Sequence, residues 1–296
     1  MPAPAQPMTN EPVLLRHDQA GVSRLTLNRP THFNALSEAL LAAIQDNLDT
    51  IKNDSSIRVV VIAGSGKAFC AGHDLKEMRS KPDKGYYREL FNRCSRMMQT
   101  LSALPQPVIA SVHGIAAAAG CQLVAACDLA VASTDAKFAT SGINVGLFCS
   151  TPAVPLSRAV GRKAAFEMLL TGDFIDAKTD MEWGLINRVA ATADLDRTVD
   201  DLAQRIGRHS SVATSTGKKM FYRQLEKNQA DAYSYAAEVM ADNMMAEDVG
   251  IGPGQELAHQ RRFVAALHGD AVEVLVQVGH HGELHEAAAG ELVLGD

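Results

Sequence analysis

Two stretches of this chain carry small-residue turns of the kind that can hold a reacting carbonyl against the main chain. GSGKAFCAGHDL, Gly64 to Leu75, leaves an apolar run through a glycine-rich turn and reaches a helix start. HGIAAAAGCQLVAACD, His113 to Asp128, repeats the arrangement. A helix start offers N–H groups without intrahelical partners and the positive end of the helix dipole. Two such ends facing each other would make a hole for an oxygen gaining negative charge, and small residues let a ligand approach closely. Taken singly, turns of this composition are more often plain packing.

Side chains able to move protons are scarce around these turns. His113 sits on a strand running inward and reads as a satisfied core histidine. The five cysteines (Cys70, Cys94, Cys121, Cys127, Cys149) form no CxxC pair and no metal-ligand spacing, so they read as reduced thiols. Cys149 is a nucleophile candidate without an identifiable base, and a small buried packer is the preferred reading. Ser141 and Asn144 do not ionise near neutral pH. Tyr86, Tyr87, Met97 and Met98 are expected on a helix at the pocket side, lining or packing the ligand site.

The elements that must position these turns alternate. Val13–His17 and Val22–Leu27 read as strands joined at Gly21. Ser37 is a helix N-cap, followed by Leu40, Ile44, Leu48 and Ile51 on one helical face. Arg58–Ala63, Val108–Val112 and Leu129–Ala132 are continuous apolar runs suited to strands covered on both sides. Strand, crossover and strand in this order imply a layered α/β architecture, turning mainly helical from Ser157 to about Met245.

Composition excludes several classes. The 296 residues are 47% hydrophobic and 21% charged, ordinary for a globular enzyme. No run of eighteen apolar residues occurs, so no membrane span is expected. The net charge is −6, with no dense Lys/Arg stripe, which argues against nucleic acid. The opening MPAPAQPMTNEP shows neither a secretion nor an import pattern, pointing to a cytosolic protein, with residues 1–11 disordered.

Four ordered motifs carry a resemblance: LNRPTHFNAL (27–36), GKAFCAGHDLKEM (66–78), PVIASVHGIAAAAGCQLVAACDLAVAS (107–133) and LLTGDFIDAKTDMEWGLINRV (169–189). Over roughly residues 12–248 the chain resembles the crotonase (enoyl-CoA hydratase/isomerase) superfamily. SGINVGLFCSTPAV together with AAAAGCQLVAACD is most similar to its enoyl-CoA hydratase domain-containing protein 3 group. The resemblance implies a crotonase-type spiral of repeated β-β-α units over 12–190, a C-terminal helical region over 191–248, and trimers or dimers of trimers. It implies an acyl-CoA or enoyl-CoA thioester as ligand, coenzyme A being part of the substrate and no separate cofactor being required. A mitochondrial matrix location follows by family analogy only.

Carried onto this sequence, the backbone donors to the thioester carbonyl are His73 and Ala119. The His73 side chain is then preferably a polar group at the pocket wall. Ala119 can donate as long as its φ stays negative. The coenzyme would lie along Arg29, His32, Phe33 and Ala35, then Ala71, Asp74 and Leu75, while Asp74 is equally a helix cap. The two glutamates with which family hydratases hold water and move protons correspond to Gln122 and Gly142. Gln can orient a water but takes no proton near neutral pH. Without both acids, which supply roughly 10²–10⁴-fold for each positioned acid–base group, ordinary hydration should be weak. The alternative is a non-catalytic acyl-CoA-binding or regulatory protein.

Residues 249–296 depart from the family pattern. They hold five of the ten histidines and seven acidic against two basic residues. This segment is expected to be an unrelated fusion or a shifted reading frame rather than a metal-binding tail.

Overall fold

The computed structural model describes residues 11–246 and Val249. The expectations for residues 1–10 and for the tail fall outside the described residues, Val249 apart. The chain starts with a hairpin, β1 (Leu14–Gln19) and β2 (Val22–Leu27), paired antiparallel from Leu14↔Leu27 to Gln19↔Val22. The two linking residues, Ala20 and Gly21, both have positive φ (49° and 78°), which matches the twist a two-residue hairpin needs. Helix α1 (Glu38–Lys52) follows, and the Ser37 hydroxyl accepts from the Leu40 N–H at 3.2 Å. Leu40, Ile44, Leu48 and Ile51 are all buried, as their spacing predicts.

From here the chain repeats one pass: a long strand, a short strand, then helix. The first is β3 (Val59–Gly64), β4 (Ala68–Cys70), α2 (Leu75–Ser80) and α3 (Lys84–Ala103). The second is β5 (Val108–Val112), β6 (Ile115–Ala117) and α4 (Ala119–Ala126). The third is β7 (Leu129–Ser133), β8 (Lys137–Ala139), a 3-10 turn at Ser141–Val145, α5 (Ser150–Ala159) and α6 (Arg162–Thr171). Two short strands, β9 (Ile175–Asp176) and β10 (Arg188–Ala190), flank α7 (Ala177–Trp183). Three helices close the described part of the chain: α8 (Leu195–Gly207), α9 (Ser211–Gln224) and α10 (Gln229–Met244).

The long strands, with short β10 at one edge, build one sheet in the order β1-β2-β3-β5-β7-β10, and the other short ones a second, β4-β6-β8-β9. Each pass therefore steps from one sheet to the other before its helix, which is the β-β-α spiral. The sequence runs located the large sheet but not β4, β6 and β8, which are three residues each. The helical part also starts earlier than Ser157, at Ser150, and β9 and β10 interrupt it.

The C-terminal half is tied to the core by charge as well as by apolar contact. Helix α8 lays Leu195, Val199, Leu202 and Ala203 on Val59, Val61, Ile109 and Val131. Helix α9 carries Lys218, whose Nζ donates to Leu101 O (2.7 Å), Gln106 O (3.0 Å) and Asp128 Oδ2 (2.6 Å). The Asp128 carboxylate also accepts from the Tyr222 hydroxyl (2.8 Å) and the Val108 N–H (2.7 Å). Burial depresses the lysine pKa, and the Asp128 charge opposes that shift.

Candidate functional site

The two small-residue turns meet. After β4, Asp74 starts α2, its carboxylate accepting from the N–H groups of Lys76 (3.1 Å) and Glu77 (3.2 Å). The segment 33–36 runs alongside: Ala71 N–H to Phe33 O (3.0 Å), Leu36 N–H to Gly72 O (2.8 Å) and Asp74 N–H to Leu36 O (3.3 Å). This pattern leaves the His73 N–H with no acceptor among the described residues. Ala119 is the first residue of α4, so its N–H has no intrahelical acceptor either. A Cβ added at Gly72 would lie 2.9 Å from the Ala118 Cβ and 3.3 Å from the Ala119 nitrogen. The two free donors thus belong to turns in direct contact. Gly120 sets that approach, because a Cβ there would fall 2.0 Å from the Cys70 carbonyl oxygen.

Ala119 keeps a negative φ, as a donor here requires. The strain sits one residue earlier, at Ala118 (φ 48°, ψ −116°), a conformation glycine tolerates and alanine resists. Its N–H bonds Ala139 O at 2.8 Å, which joins α4 to the end of β8 and holds the residue there. Ala118→Gly is expected to raise the thermal midpoint, the relieved strain being about 1 kcal/mol or more. An unchanged or lower midpoint in a thermal melt would count against this strain.

The residues proposed for the coenzyme fall together on the neighbouring edge. His32, Phe33, Ala71 and Leu75 are exposed, and Ala35 is half-buried beside them. Arg29 and Asp74 have internal work: the guanidinium donates to Ala35 O (2.5 Å) and to Asp74 Oδ2 (2.9 Å). Burial pushes the Asp74 carboxyl up, but its bonds to Arg29 and to the two helix N–H groups outweigh this and leave it below the usual carboxylate range. One residue of this edge escaped the sequence reading. Asn34 is buried with φ 53°; its amide accepts from Arg29 N–H (2.8 Å) and donates to Ser65 O and Ala68 O (both 2.8 Å). An Asn inside a turn, tolerant of left-handed φ, was the available signal.

The proton-handling positions are quiet. Gln122 is buried on α4, its N–H on Ala118 O (3.0 Å) and its Oε1 without a partner. Gly142 is buried as well, and a Cβ there would meet Leu147 O at 2.5 Å and Cys149 Sγ at 2.7 Å. The Cys149 thiol therefore fills the space a side chain at 142 would need. Burial raises its pKa, against a smaller opposing contribution from the Gly142 backbone.

His73 lays its ring edge against Phe91 (centroids 5.4 Å apart), and neither ring nitrogen makes a hydrogen bond. Burial lowers its pKa to about 4, against a smaller opposing contribution from the Leu36 backbone, so the imidazole is neutral. His113 corrects the sequence reading: it is half-buried rather than in the core, and Nε2 meets Gly66 O at 3.0 Å. Met97 and Met98 pack in the core, whereas the Tyr86 and Tyr87 hydroxyls bond Glu38 and Met78 O.

One buried acid went unnoticed in the sequence. Asp180, on α7, is fully buried, and neither carboxyl oxygen has a partner. Burial, with the nearby Asp176 charge, pushes it up from 3.8 to about 7. The folded protein thus holds a proton here that the unfolded chain has released. This contribution to stability is complete below about pH 4 and is lost as pH rises through about 7. In Asp180→Asn, the decline of stability between pH 4 and 7 should flatten in urea titrations; an unaltered slope would contradict the assignment.

The sequence profile of the enoyl-CoA hydratase/isomerase family matches residues 17–255. The chain belongs to that family. The family's enoyl-CoA hydratase domain-containing protein 3 from Xenopus laevis, described as mitochondrial, is 42% identical over 241 residues, 81% of this chain and 82% of the frog protein. The crystal structure of human enoyl-CoA hydratase domain-containing protein 3 is 39% identical, with a TM-score of 0.78, covering 87% of this chain and 98% of that one. A crystal structure of an enoyl-CoA hydratase from Mycobacterium smegmatis is 54% identical, with a TM-score of 0.79, covering 88% of this chain and 97% of that one. These family folds agree with the two-sheet spiral described above. Among the described residues, no helix is long and apolar enough to cross a membrane.

Proposed function

We propose that this family member binds a fatty acyl-CoA thioester through the main-chain N–H groups of His73 and Ala119, and that it hydrates enoyl-CoA poorly. The carrying observation is at Gly142, where Leu147 O and Cys149 Sγ occupy the place of any side chain. A second carboxylate cannot be borrowed by a small rotation, and its counterpart is the amide of Gln122. Two backbone donors aimed at the carbonyl oxygen would still polarise the thioester. The exposed strip of Phe33, Ala71 and Leu75 supports the coenzyme's path along the edge.

The reading with hydratase or isomerase chemistry by descent is favoured only by family membership; a binding or regulatory role is favoured by the two replaced acids. Crotonyl-CoA hydration measured beside calorimetric CoA-ester affinity separates them. Tight binding with turnover near background supports the proposal. Robust turnover that disappears in Gln122→Ala would sink it. The protein is further proposed to be cytosolic and to assemble as a trimer or a dimer of trimers. Phe221, Tyr233, Met240 and Met244 on α9 and α10 stay exposed and suit burial between copies.

A further inference from the structure

A cleft of about 230 Å³ opens among the described residues where the end of α1, the residues leading into β3 and β5, and the start of α9 come together. β3 spans six residues from this cleft, beside Arg58, to Gly64 at the first small-residue turn, which is about 20 Å of strand. The cleft therefore lies at the opposite end of the large sheet from the carbonyl donors. Ile57, Pro105, Pro107 and Ile206 give it apolar surface.

Its polar groups are of two kinds. Helix α9 has 14 residues, and the Ser210 hydroxyl at its N-cap accepts from Ala213 N–H at 2.9 Å. The Thr214 N–H goes to Ser210 O (3.0 Å), and the Val212 N–H, at the cleft, has no acceptor among the described residues. A helix start of this kind favours an anion. Lys52 and Arg58 line the same cleft, and Arg58 also donates to His209 O. One acid, Asp54, lines it too. Its carboxylate already accepts from Ser56 N–H (2.9 Å) and Ser56 Oγ (2.6 Å) and lies 3.9 Å from Arg16 Nη2.

The second kind is an unmet acceptor. Gln106 lines the cleft with 7% of its surface exposed, and its Oε1 has no partner. Its Nε2 donates to Ile51 O (2.9 Å) and Asp54 O (3.4 Å). Both of those partners can only accept, so the amide cannot be turned over to satisfy Oε1. A buried acceptor left in this state calls for a donor.

We infer that the cleft binds a nucleoside monophosphate whose base carries an exocyclic amino group. The phosphate sits at the Val212 N–H with Lys52 and Arg58, the base lies on the apolar surface, and the amino group donates to Gln106 Oε1. A bare phosphate would leave the apolar surface uncovered. An uncharged nucleoside would leave the positive end of α9 without a counter-charge. The volume falls below the roughly 300–1,000 Å³ of drug-sized pockets, which favours one nucleotide over two. This site is independent of the thioester reading and would survive its failure.

Calorimetry on the full chain with AMP, adenosine, inorganic phosphate and purine riboside monophosphate, which lacks only the amino group of AMP, tests the inference. AMP should bind saturably and at least about tenfold more tightly than each of the other three. Lys52→Glu, a change at an exposed side chain, should weaken AMP by about tenfold or more. Coenzyme A carries a nucleotide of its own, so AMP is also titrated in saturating coenzyme A; its affinity should be unchanged. Absence of saturable AMP binding to the unaltered protein would overturn the inference. So would equal affinities for AMP and purine riboside monophosphate, an unaltered affinity in Lys52→Glu, or displacement of AMP by coenzyme A.

Discussion

Lys218→Met should lower the free energy of unfolding by about 3–5 kcal/mol, the cost of stranding a buried charge by removing its partner. Nothing else in the described structure neutralises the Asp128 carboxylate, which would keep only the Tyr222 hydroxyl and the Val108 N–H. Two carbonyls, Leu101 O and Gln106 O, would lose their donor in the same step. The effect should reach beyond stability, because this cluster fastens α9 to the loop between α3 and β5. Urea denaturation gives the energy, and hydrogen exchange at α9 gives the locality. A loss below about 1 kcal/mol, the range of exposed pairs, would mean that the ion pair is solvated in solution.

Gly120→Ala should be nearly as damaging to the fold and more damaging to ligand binding. A methyl group 2.0 Å from the Cys70 carbonyl oxygen cannot be accommodated by rotating a side chain, because the obstacle is main chain. Either the end of β4 or the start of α4 has to move; Ala119 begins α4, and His73 follows β4 in the turn it leads into. Overpacking of this kind costs about 1–3 kcal/mol or more. The donors would also be displaced, so CoA-ester affinity should fall even in the fraction that folds. Normal affinity and a normal thermal midpoint in this variant would show that the two turns are not packed as described.

The difference between what could and could not be read in advance has a physical basis. The long strands declared themselves because Arg58–Ala63, Val108–Val112 and Leu129–Ala132 are apolar on both faces, and helix α1 did so through Ser37 and its four-residue spacing. β4, β6 and β8 stayed hidden, since three residues give no periodicity to detect. The candidate site's placement was legible where motifs prescribe backbone: the turns of His73 and Ala119 touch, and the edge from Arg29 to Leu75 runs beside them. It was not legible where a side chain's role depends on distant partners. Asp180 looks like any polar residue of a surface helix until α7 is seen to bury it. Arg29 and Asp74 lie 45 positions apart, and only the fold reveals that each is the other's partner. The positive φ of Ala118 could not be inferred either, because alanine is the wrong residue for it.

The crowding at Gly142 also limits which substitutions the site can accept. A glutamate placed there would collide with Leu147 O and Cys149 Sγ, so the single change Gly142→Glu would be rejected before it could add any chemistry. Position 149 and its loop would have to change first, to no immediate advantage. The thiol at 149 therefore bars an acid at 142 until its own loop has changed. In stepwise variants, the order of changes at 149 and 142 should matter more than their number.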